Sequence, residues 1–358
     1  MDEKIEKTIT YAKSIAEQYK ILFIANVAGE TNKIDYENTQ DSIITEYFTK
    51  VEYNNLFNAI KHNGFSIRTF FNEEEFIRFI LDNDIKSSDK NIVFNLARNG
   101  RGLNKKSLIP SFCQFRELVF TGSSAYATCL GRHKFHYSQI LENLGIPIAK
   151  TWIFSSKGWL LNRKPPIGLK VIVKPMFESA SRGVRTNGIF IFKNTDTQLK
   201  YITDLCNEFS QDVIIQQFID GEEIEVPVVV ADSPIALGAA KITLDESVSS
   251  IHGIIDYEIA FNESYDFAIL DNNESTQQIM KTSEKIVSCL GFSSYSRVDF
   301  RRDLAGNLYV IDISTHPYII GHSSFAFIFQ NLGYTYNELF AFIIGRSLVD
   351  DTFYSGMK

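Results

Sequence analysis

Residues 295–324 (YSRVDFRRDLAGNLYVIDISTHPYIIGHSS) contain the pattern that most restricts how this chain can fold. Charged and apolar side chains alternate through residues 297–300, as they do in a half-buried strand. Turn-forming residues follow at 303–307, and a β-branched and aromatic run follows at 308–313. The segment therefore predicts a β-hairpin that leads into a loop.

The same alternation decides which polar side chains of the hairpin share a face. Arg297 and Asp299 point to one face of the first strand, and Asp312 and Ser314 share a face of the second. If the strands pair antiparallel, two carboxylates and an arginine converge, and buried carboxylates that converge need a cation to stay ionised. Hard oxygen ligands favour Mg²⁺ over zinc. A surface hairpin with a scattered Asp–Arg pair explains this stretch equally well.

Short apolar segments alternate with amphipathic ones near the N-terminus. Strands are predicted at residues 21–27, 65–71 and 91–96, with helices between them at residues 43–62 and 73–81. This βαβαβ order predicts a doubly wound α/β domain.

Two lysines stand where phosphate groups are often bound. Lys174 ends an apolar strand at residues 170–175, and a loop of small residues follows it. Lys134 lies in a basic cluster after a helix that begins near Ser123 or Ser124. The chain has no GxxxxGK[ST] motif, and a solvated lysine is the alternative at both positions.

Charge and cysteine usage exclude several classes of protein. The formal net charge of -7 argues against a dedicated nucleic-acid binder. The four cysteines lie far apart without a CxxC pair, which favours free thiols in a reducing compartment. No apolar run approaches the roughly 20 residues that span a membrane. We therefore expect a cytoplasmic protein with neither a membrane nor a nucleic acid as partner.

A series of short motifs from about residue 92 onwards resembles the ATP-grasp superfamily, and within it the D-alanine–D-alanine ligase branch. The motifs are, in order, FTGSS…GRHK, NLGIP, VIVKP…ESASRGV, QQFIDGEE, DYE, SRVDF, IDISTHP and HSS. The resemblance implies an α/β fold of three domains with ATP between the central and C-terminal α+β domains. We place a doubly wound N-terminal domain at residues 1–124, the central domain at 125–212 and the C-terminal domain at 213–358.

The resemblance also implies roles for individual residues. The positions that match the family's ATP contacts are Lys134, Lys174, Ser181, Gln216, Phe218, Ile219 and Glu223. The positions that match its ligands for Mg²⁺ (or Mn²⁺) are Asp299, Asp312 and Ser314. Arg297 would stabilise developing charge, and the backbone N–H of Tyr318 would form the oxyanion hole. Ser323 and Ser324 would meet the carboxylate of the second substrate.

The implied reaction is the ATP-dependent formation of an amide bond. A substrate carboxylate attacks the γ-phosphate of ATP, and an amine then displaces phosphate from the acyl phosphate. The motifs expected to bind the first substrate depart from the family more than the motifs expected to bind the nucleotide. Ser314 replaces a metal-binding asparagine, Ala180 replaces a flap serine, and Ala260 and Phe261 replace a flap lysine and tyrosine. The histidines of the hairpin loop, His316 and His322, receive no proton-transfer role.

A basic loop also replaces a glycine-rich acidic loop of the family. Its Arg98, Arg101, Lys105 and Lys106 predict a first substrate that carries negative charge, with Arg101 as a contact. We therefore expect a carboxylate–amine ligase of specialised biosynthesis whose first substrate is not D-alanine. The alternatives are a divergent D-alanine–D-alanine (or D-alanine–D-lactate) ligase of cell-wall synthesis and a nucleotide-binding protein that has lost turnover. Both substrates are expected to be small molecules of the amino-acid type, and the family makes a homodimer possible.

Overall fold

The strands of the chain form three sheets with helices packed against them. The computed structural model describes residues 2–31, 46–99, 102–230, 232–244, 254–255, 259 and 262–355. The α-helices in these ranges are α1 (Asp2–Ser14), α2 (Lys50–Lys61), α3 (Glu73–Asp82), α4 (Leu108–Phe115), α5 (Ala125–Arg132), α6 (Lys134–Asn143), α7 (Asp196–Phe209), α8 (Glu274–Cys289), α9 (Ser324–Asn331) and α10 (Tyr336–Ser355). Within the described residues, no helix is both long enough and apolar enough to cross a membrane.

The first sheet is parallel, with the strand order β2-β1-β3-β4. Its strands are β1 (Lys20–Ala25), β2 (Ser66–Phe70), β3 (Asn91–Leu96) and β4 (Val119–Phe120). Side chains of β1 alternate between two cores, because Ile21 and Phe23 pack with α2 while Leu22 and Ile24 pack with α3 and α4. A strand buried on both faces needs this nearly continuous apolar sequence. The predicted doubly wound arrangement is confirmed.

The second sheet is antiparallel, with the order β6-β5-β9-β7-β8. Its strands are β5 (Thr151–Ser155), β6 (Gly158–Trp159), β7 (Lys170–Pro175), β8 (Ile189–Ile191) and β9 (Val213–Gln217). Helix α7 covers one face, where Ile202 and Leu205 pack on Val171 and Val173. The predicted domain division stays a prediction, but the pairing of β9 would move its second boundary beyond Gln217.

The third sheet is also antiparallel and has the order β13-β12-β10-β14-β15, with β11 paired to β10. Its strands are β10 (Gly221–Val230), β11 (Pro234–Ala236), β12 (Ala240–Leu244), β13 (Tyr265–Ile269), β14 (Tyr295–Asp303) and β15 (Leu308–Ser314). Ile279 and Ile286 of α8, and Leu290 directly after it, are buried against this sheet.

The predicted hairpin is formed by β14 and β15. Its antiparallel register pairs Arg297 with Ser314 and Asp299 with Asp312. The turn is held by the carboxylate of Asp303, which accepts hydrogen bonds from the backbone N–H groups of Ala305 and Asn307. The two acids therefore lie side by side, as the alternation of the sequence predicts.

The C-terminal helix α10 joins the first sheet to the third. Phe340 of this helix packs on Phe94 of β3, with ring centroids 5.7 Å apart. Gly345 lets the helix approach α1, because a Cβ there would lie 2.8 Å from the carbonyl oxygen of Thr8. One apolar core thus extends from Ile5 of α1 to Leu348 of α10, and it fixes the first sheet beside the hairpin.

Two predicted elements need correction. The helix predicted at residues 43–62 begins only at Lys50, because Thr49 and Glu52 form a reciprocal capping box at its N-terminus. Residues 235–242, which have the pattern of one strand, form β11 and β12, because these pair with different parts of β10.

Candidate functional site

A cavity of about 650 Å³ lies among residues contributed by all three sheets. Arg98 enters it just after β3, Lys174 from the end of β7, and Asp312 from β15. The predicted site residues that line it are Lys134, Lys174, Ser181, Gln216, Phe218, Ile219, Glu223, Arg297, Asp299, Asp312, Ser314, Tyr318 and Ser323. Residues that are far apart in the sequence are therefore brought to one place. Their individual roles stay predictions.

Lys174 and Gln216 join neighbouring strands at the wall of the cavity. The Lys174 Nζ donates a hydrogen bond to the Gln216 Oε1 at 3.0 Å, and the Gln216 Nε2 donates to the carbonyl oxygen of Ile311 at 3.3 Å. Burial lowers the pKa of Lys174, although the nearby charge of Asp312 opposes this shift. A buried ammonium group is stabilised by an anionic ligand, so this wall suits a phosphate.

Lys134 is the first residue of α6 and lies between two elements of the site. Its Nζ donates to the carbonyl oxygen of Glu178 at 3.0 Å and lies 3.4 Å from the Asp312 Oδ2. The His133 side chain caps α6 by accepting from the backbone N–H of His136. The cap fixes where the helix begins, and therefore where Lys134 projects.

The loop after β7 turns back sharply over the end of that strand. Ala180 and Ser181 both adopt left-handed backbone conformations, with φ of 53° and 54°. Gly183 has a φ of +75°, and a Cβ there would lie only 2.5 Å from the Pro175 Cγ. Glycine is therefore required at this position. The loop brings Ser181 to the cavity in the manner of a cover over bound phosphates.

Phe218 and Ile219 follow β9 and form an apolar part of the cavity wall. Two cations lie near the Phe218 ring, with the Lys170 Nζ 4.8 Å and the Arg301 guanidinium carbon 5.0 Å from its centroid. The Glu223 Oε2 lies 3.2 Å from the Arg301 Nη1, and burial raises the pKa of Glu223. An aromatic wall beside a carboxylate suits a heterocyclic base joined to a sugar hydroxyl.

The two acids of the hairpin have different surroundings. Burial alone would raise the pKa of Asp312, but Lys134 and Lys174 outweigh burial and hold it below its ordinary value. The Tyr137 hydroxyl also donates to the Asp312 Oδ1 at 2.8 Å. Arg297 binds both oxygens of Asp299, at 2.7 and 2.9 Å, yet burial still raises the pKa of Asp299. Asp312 is thus ionised, whereas charge on Asp299 is disfavoured until a further cation is present.

These acids fit a magnesium ion that is shared with phosphate groups. Within the described residues, no group of three or more His, Cys, Asp or Glu side chains could hold a metal by itself. Mg²⁺ is usually bound by one or two carboxylates together with substrate phosphates and water. Asp299 and Asp312 provide two such carboxylates, and a divalent cation would stabilise the charged form of Asp299, whose pKa is raised by burial and further by the charges of Glu225 and Asp312. The Ser314 Oγ accepts from the backbone N–H of His316 at 3.3 Å.

Glu225 is a member of the site that the sequence reasoning missed. It lies on β10 directly opposite Asp299. Its Oε1 is 3.2 Å from the Arg297 Nη2, and its Oε2 accepts a hydrogen bond from the Ser324 Oγ at 2.5 Å. The available signal was the spacing of Glu223 and Glu225, because residues two apart in a strand share a face.

The residues predicted to meet the second substrate have different positions. The Ser323 Oγ caps α9 by accepting from the backbone N–H of Ala326 at 3.2 Å, and Ser323 lines the cavity. Ser324 instead points to Glu225. Arg101, Ala260 and Phe261 lie outside the described residues.

The loop after β15 is packed against the first sheet. The Tyr318 hydroxyl donates to the carbonyl oxygen of Glu46 at 3.3 Å. His316 is buried, and burial together with the charges of Lys106, Arg98 and Arg132 holds its pKa well below the ordinary value. His316 therefore stays neutral.

The sequence of this chain is similar to that of known proteins. The family model described as "D-ala D-ala ligase C-terminus" matches residues 140–345. A D-alanine--D-alanine ligase from Actinobacillus succinogenes is 25% identical over 273 residues, covering 74% of this chain and 83% of that protein. A D-alanine--D-alanine ligase from Pseudomonas putida is 23% identical over 233 residues, covering 64% and 69%.

Solved structures show the same fold. A D-alanine--D-alanine ligase from Bacillus anthracis complexed with ATP superimposes with a TM-score of 0.67 at 18% identity, covering 94% of this chain and 99% of that chain. The VanG D-Ala:D-Ser ligase from Enterococcus faecalis gives a TM-score of 0.63 at 17% identity, covering 92% and 99%. At these identities the likeness concerns the fold.

Proposed function

The chain belongs to the D-alanine–D-alanine ligase family of ATP-grasp enzymes, and from that premise we propose that it joins two amino acids through an acyl phosphate made with ATP. As a member of this family it is an ATP-dependent carbon–nitrogen ligase. One observation supports the proposed reaction above all others. The charges of Lys134 and Lys174 both lower the pKa of Asp312, and Asp312 lies opposite Asp299 in the hairpin. Cations for phosphate groups and carboxylates for a metal are thus present in one cavity.

D-alanine is proposed as the first substrate to test, in both the donor and the acceptor role. The expectation of a first substrate other than D-alanine has no support among the relatives, whose names favour the alternative of a D-alanine–D-alanine ligase. One structural neighbour is named a D-Ala:D-Ser ligase. D-serine and D-lactate are therefore the next acceptors to test.

In the proposed first step, the donor carboxylate forms a bond to the γ-phosphorus of ATP, and ADP leaves. Lys134 and Lys174 bind and orient the phosphates, whose negative charge they offset. Asp299 and Asp312 would hold Mg²⁺, which supplies further charge neutralisation when it is bound. The loop that contains Ser181 and Gly183 covers the phosphates and keeps out water that would hydrolyse the acyl phosphate.

In the second step, the acceptor amine attacks the carbonyl carbon, and phosphate leaves with the oxygen of the broken C–O bond. Negative charge develops on the carbonyl oxygen, where the backbone N–H of Tyr318 and the guanidinium of Arg297 would stabilise it. Asp299 and Glu225 both pair with Arg297 and hold it in place. This arrangement fixes the guanidinium before the charge develops.

The test is ATP-dependent phosphate release with D-alanine, followed by mass spectrometry of the product. We expect D-alanyl-D-alanine, or a mixed product when D-serine or D-lactate is added. Tight binding of Mg-ATP with no phosphate release across a broad panel of acids and amines would instead indicate a nucleotide-binding protein that has lost turnover. The predicted cytoplasmic location and homodimer stay predictions.

A further inference from the structure

A cluster of positive side chains lines the cavity on the side of the first sheet. We define this cationic cluster as Arg98, Lys105, Lys106 and Arg132. All four residues are buried, and three of them, Arg98, Lys106 and Arg132, line the cavity. Arg132 comes from the end of α5, whereas the others follow β3. The cluster is therefore assembled by packing of separate elements and is not a solvated loop.

Within the described residues, the cluster is only partly neutralised by acidic side chains. Buried Glu46 pairs with the Lys105 Nζ at 2.7 Å and with the Lys106 Nζ at 2.9 Å. Burial lowers the pKa of Lys106 well below its ordinary value, and the charges of Arg98 and Arg132 act in the same direction although Glu46 opposes them. Positive charge thus remains in excess at a buried place. Such an excess is unfavourable unless an anion is bound.

Arg98 is held in a way that leaves one edge of its guanidinium for a ligand. Its guanidinium carbon lies 4.6 Å from the Phe48 ring centroid and 4.0 Å from that of Tyr318. Contacts with these two rings, whose planes are 84° apart, restrict the movement of the guanidinium. Among the residues that the structure describes, neither the Nε nor the Nη2 of Arg98 has a hydrogen-bond partner, although Arg98 is only 2% exposed.

Nε and Nη2 form the edge that binds carboxylates through two parallel hydrogen bonds. The same two atoms of Arg297 bind Asp299 in this protein. Arg297 is therefore already occupied by Asp299 and by Glu225. An unpaired, buried edge on Arg98 is costly unless an acceptor arrives.

The cluster also lies between two loops of the proposed reaction site. Lys106 and Arg132 both donate to the Ser179 Oγ at 3.4 Å, in the loop that covers the phosphates. The Arg98 guanidinium lies 4.0 Å from the ring centroid of Tyr318, in the loop that follows β15. A group bound to Arg98 would therefore be part of a molecule that reacts in the cavity.

We propose that Arg98, supported by Lys106 and Arg132, binds a substrate carboxylate that does not itself react. The proposal rests on the proposed ligase function in one respect, because it identifies the bound molecule as a substrate of the ligase. The carboxylate has two possible sources: the free α-carboxylate of an acceptor amino acid, or a second carboxylate of the donor. Both present the same two oxygens to the Arg98 edge.

The experiment is calorimetric titration of the full-length protein, saturated with Mg²⁺ and a non-hydrolysable ATP analogue. Two matched probe pairs differ in one carboxylate: D-alanine against D-alaninamide, and D-glutamate against D-glutamine. We expect the carboxylate member of at least one pair to bind at least about tenfold more tightly. An Arg98-dependent preference in the first pair assigns the α-carboxylate, and an Arg98-dependent preference confined to the second pair assigns a second donor carboxylate.

Arg98→Gln should abolish this preference while the affinity for the amide member stays the same. Arg98→Lys keeps the charge but lacks the two-donor edge, so it should retain only part of the preference. If the glutamine variant does not fold, the lysine variant alone tests the role of Arg98. Arg78→Gln is the control, because Arg78 is exposed and pairs with Glu74 on α3. No preference in the unmodified protein, a preference that survives both Arg98 substitutions, or an equal loss for both members of a pair would overturn the proposal.

Calorimetry needs no turnover, so this result is separate from the outcome of the phosphate-release assay. A protein that binds the carboxylate through Arg98 but forms no product would contradict the proposed reaction and leave the carboxylate site in place. A protein that makes D-alanyl-D-alanine without any role for Arg98 would support the proposed reaction and contradict the carboxylate site.

Discussion

Asp299 on β14 lies directly opposite Asp312 on β15 in the register of the hairpin. Cross-strand neighbours have Cβ atoms only about 5 Å apart, so two ionised carboxylates at these positions repel each other. The protein offsets this repulsion unequally, with lysines beside Asp312 and an arginine on Asp299. The pair is arranged for a bound cation more than for stability of the fold.

The first prediction concerns Asp299→Asn. We expect kcat to fall at least about 100-fold, because the substitution removes a proposed Mg²⁺ ligand. The free energy of unfolding should change by less than about 1.5 kcal/mol, since burial already disfavours charge on Asp299. Phosphate-release kinetics and urea denaturation measure the two effects.

Asp266→Asn serves as the control for this comparison, because Asp266 is exposed on β13 of the same sheet. It should leave both quantities unchanged. If Asp299→Asn unfolds the protein or keeps full turnover, the assignment of Asp299 is wrong.

Much of this hairpin was accessible from the sequence for a local reason. Alternation in β14 and β15 fixes which side chains share a face, and turn-forming residues between the strands fix the antiparallel pairing. Lys174 was equally accessible, because it ends a clear apolar strand. Such features depend on neighbours within a few residues.

Other parts of the site depend on contacts that local patterns do not contain. Glu46 and Arg132 lie far apart in the sequence, and only the packing of α5 beside the first sheet brings them together. Glu225 becomes a partner of Ser324 because β10 pairs with β14 and α9 packs on β10. Burial, which shifts the pKa values of these groups, is likewise a property of the whole fold.

The second prediction concerns Glu225→Gln. Removing this charge should loosen the Arg297 guanidinium, because Glu225 and Asp299 both contact its Nη2. We expect kcat to fall about tenfold, while the KM for ATP stays the same because Arg297 acts on the acyl group. Steady-state kinetics with varied ATP and varied amino acid separate the two parameters.

Glu222→Gln is the matched control, because Glu222 lies on the same strand and pairs with Arg302 and Lys241 away from the cavity. Glu225→Asp should restore part of kcat. A positioning role for Glu225 is excluded if both glutamine variants lose the same activity, or if the KM for ATP rises in parallel.

The third prediction compares two glycines with positive φ. Gly183→Ala and Gly168→Ala both force alanine into a left-handed conformation, which costs about 1 kcal/mol. A Cβ at Gly183 would also lie 2.5 Å from the Pro175 Cγ, whereas none of the described atoms lies within 4 Å of a Cβ at Gly168. Gly183→Ala should therefore destabilise the protein by at least about 1 kcal/mol more and raise the KM for ATP. If the two variants change the free energy of unfolding and the KM for ATP equally, a tight turn over the phosphates is contradicted.

The fourth prediction concerns the pH dependence of stability. Burial lowers the pKa of His133 to about 4, and the nearby His136 acts in the same direction. The unfolded histidine has a pKa of about 6.5, so the unfolded chain binds this proton first as the pH falls. The His133 contribution to the free energy of unfolding is therefore complete above about pH 6.5 and decreases as the pH falls towards 4. Because His133 is partly exposed, we expect a loss of about 1 kcal/mol at pH 5.

His133→Asn tests this contribution while keeping a side chain that can cap α6. The difference in free energy of unfolding between pH 7 and pH 5 should become smaller by that amount, as measured by urea denaturation. His62→Asn, at an exposed position after α2, controls for the loss of a histidine. If both variants show the pH dependence of the unmodified protein, burial of His133 does not set its pKa, and the placement of Lys134 by this cap must be reconsidered.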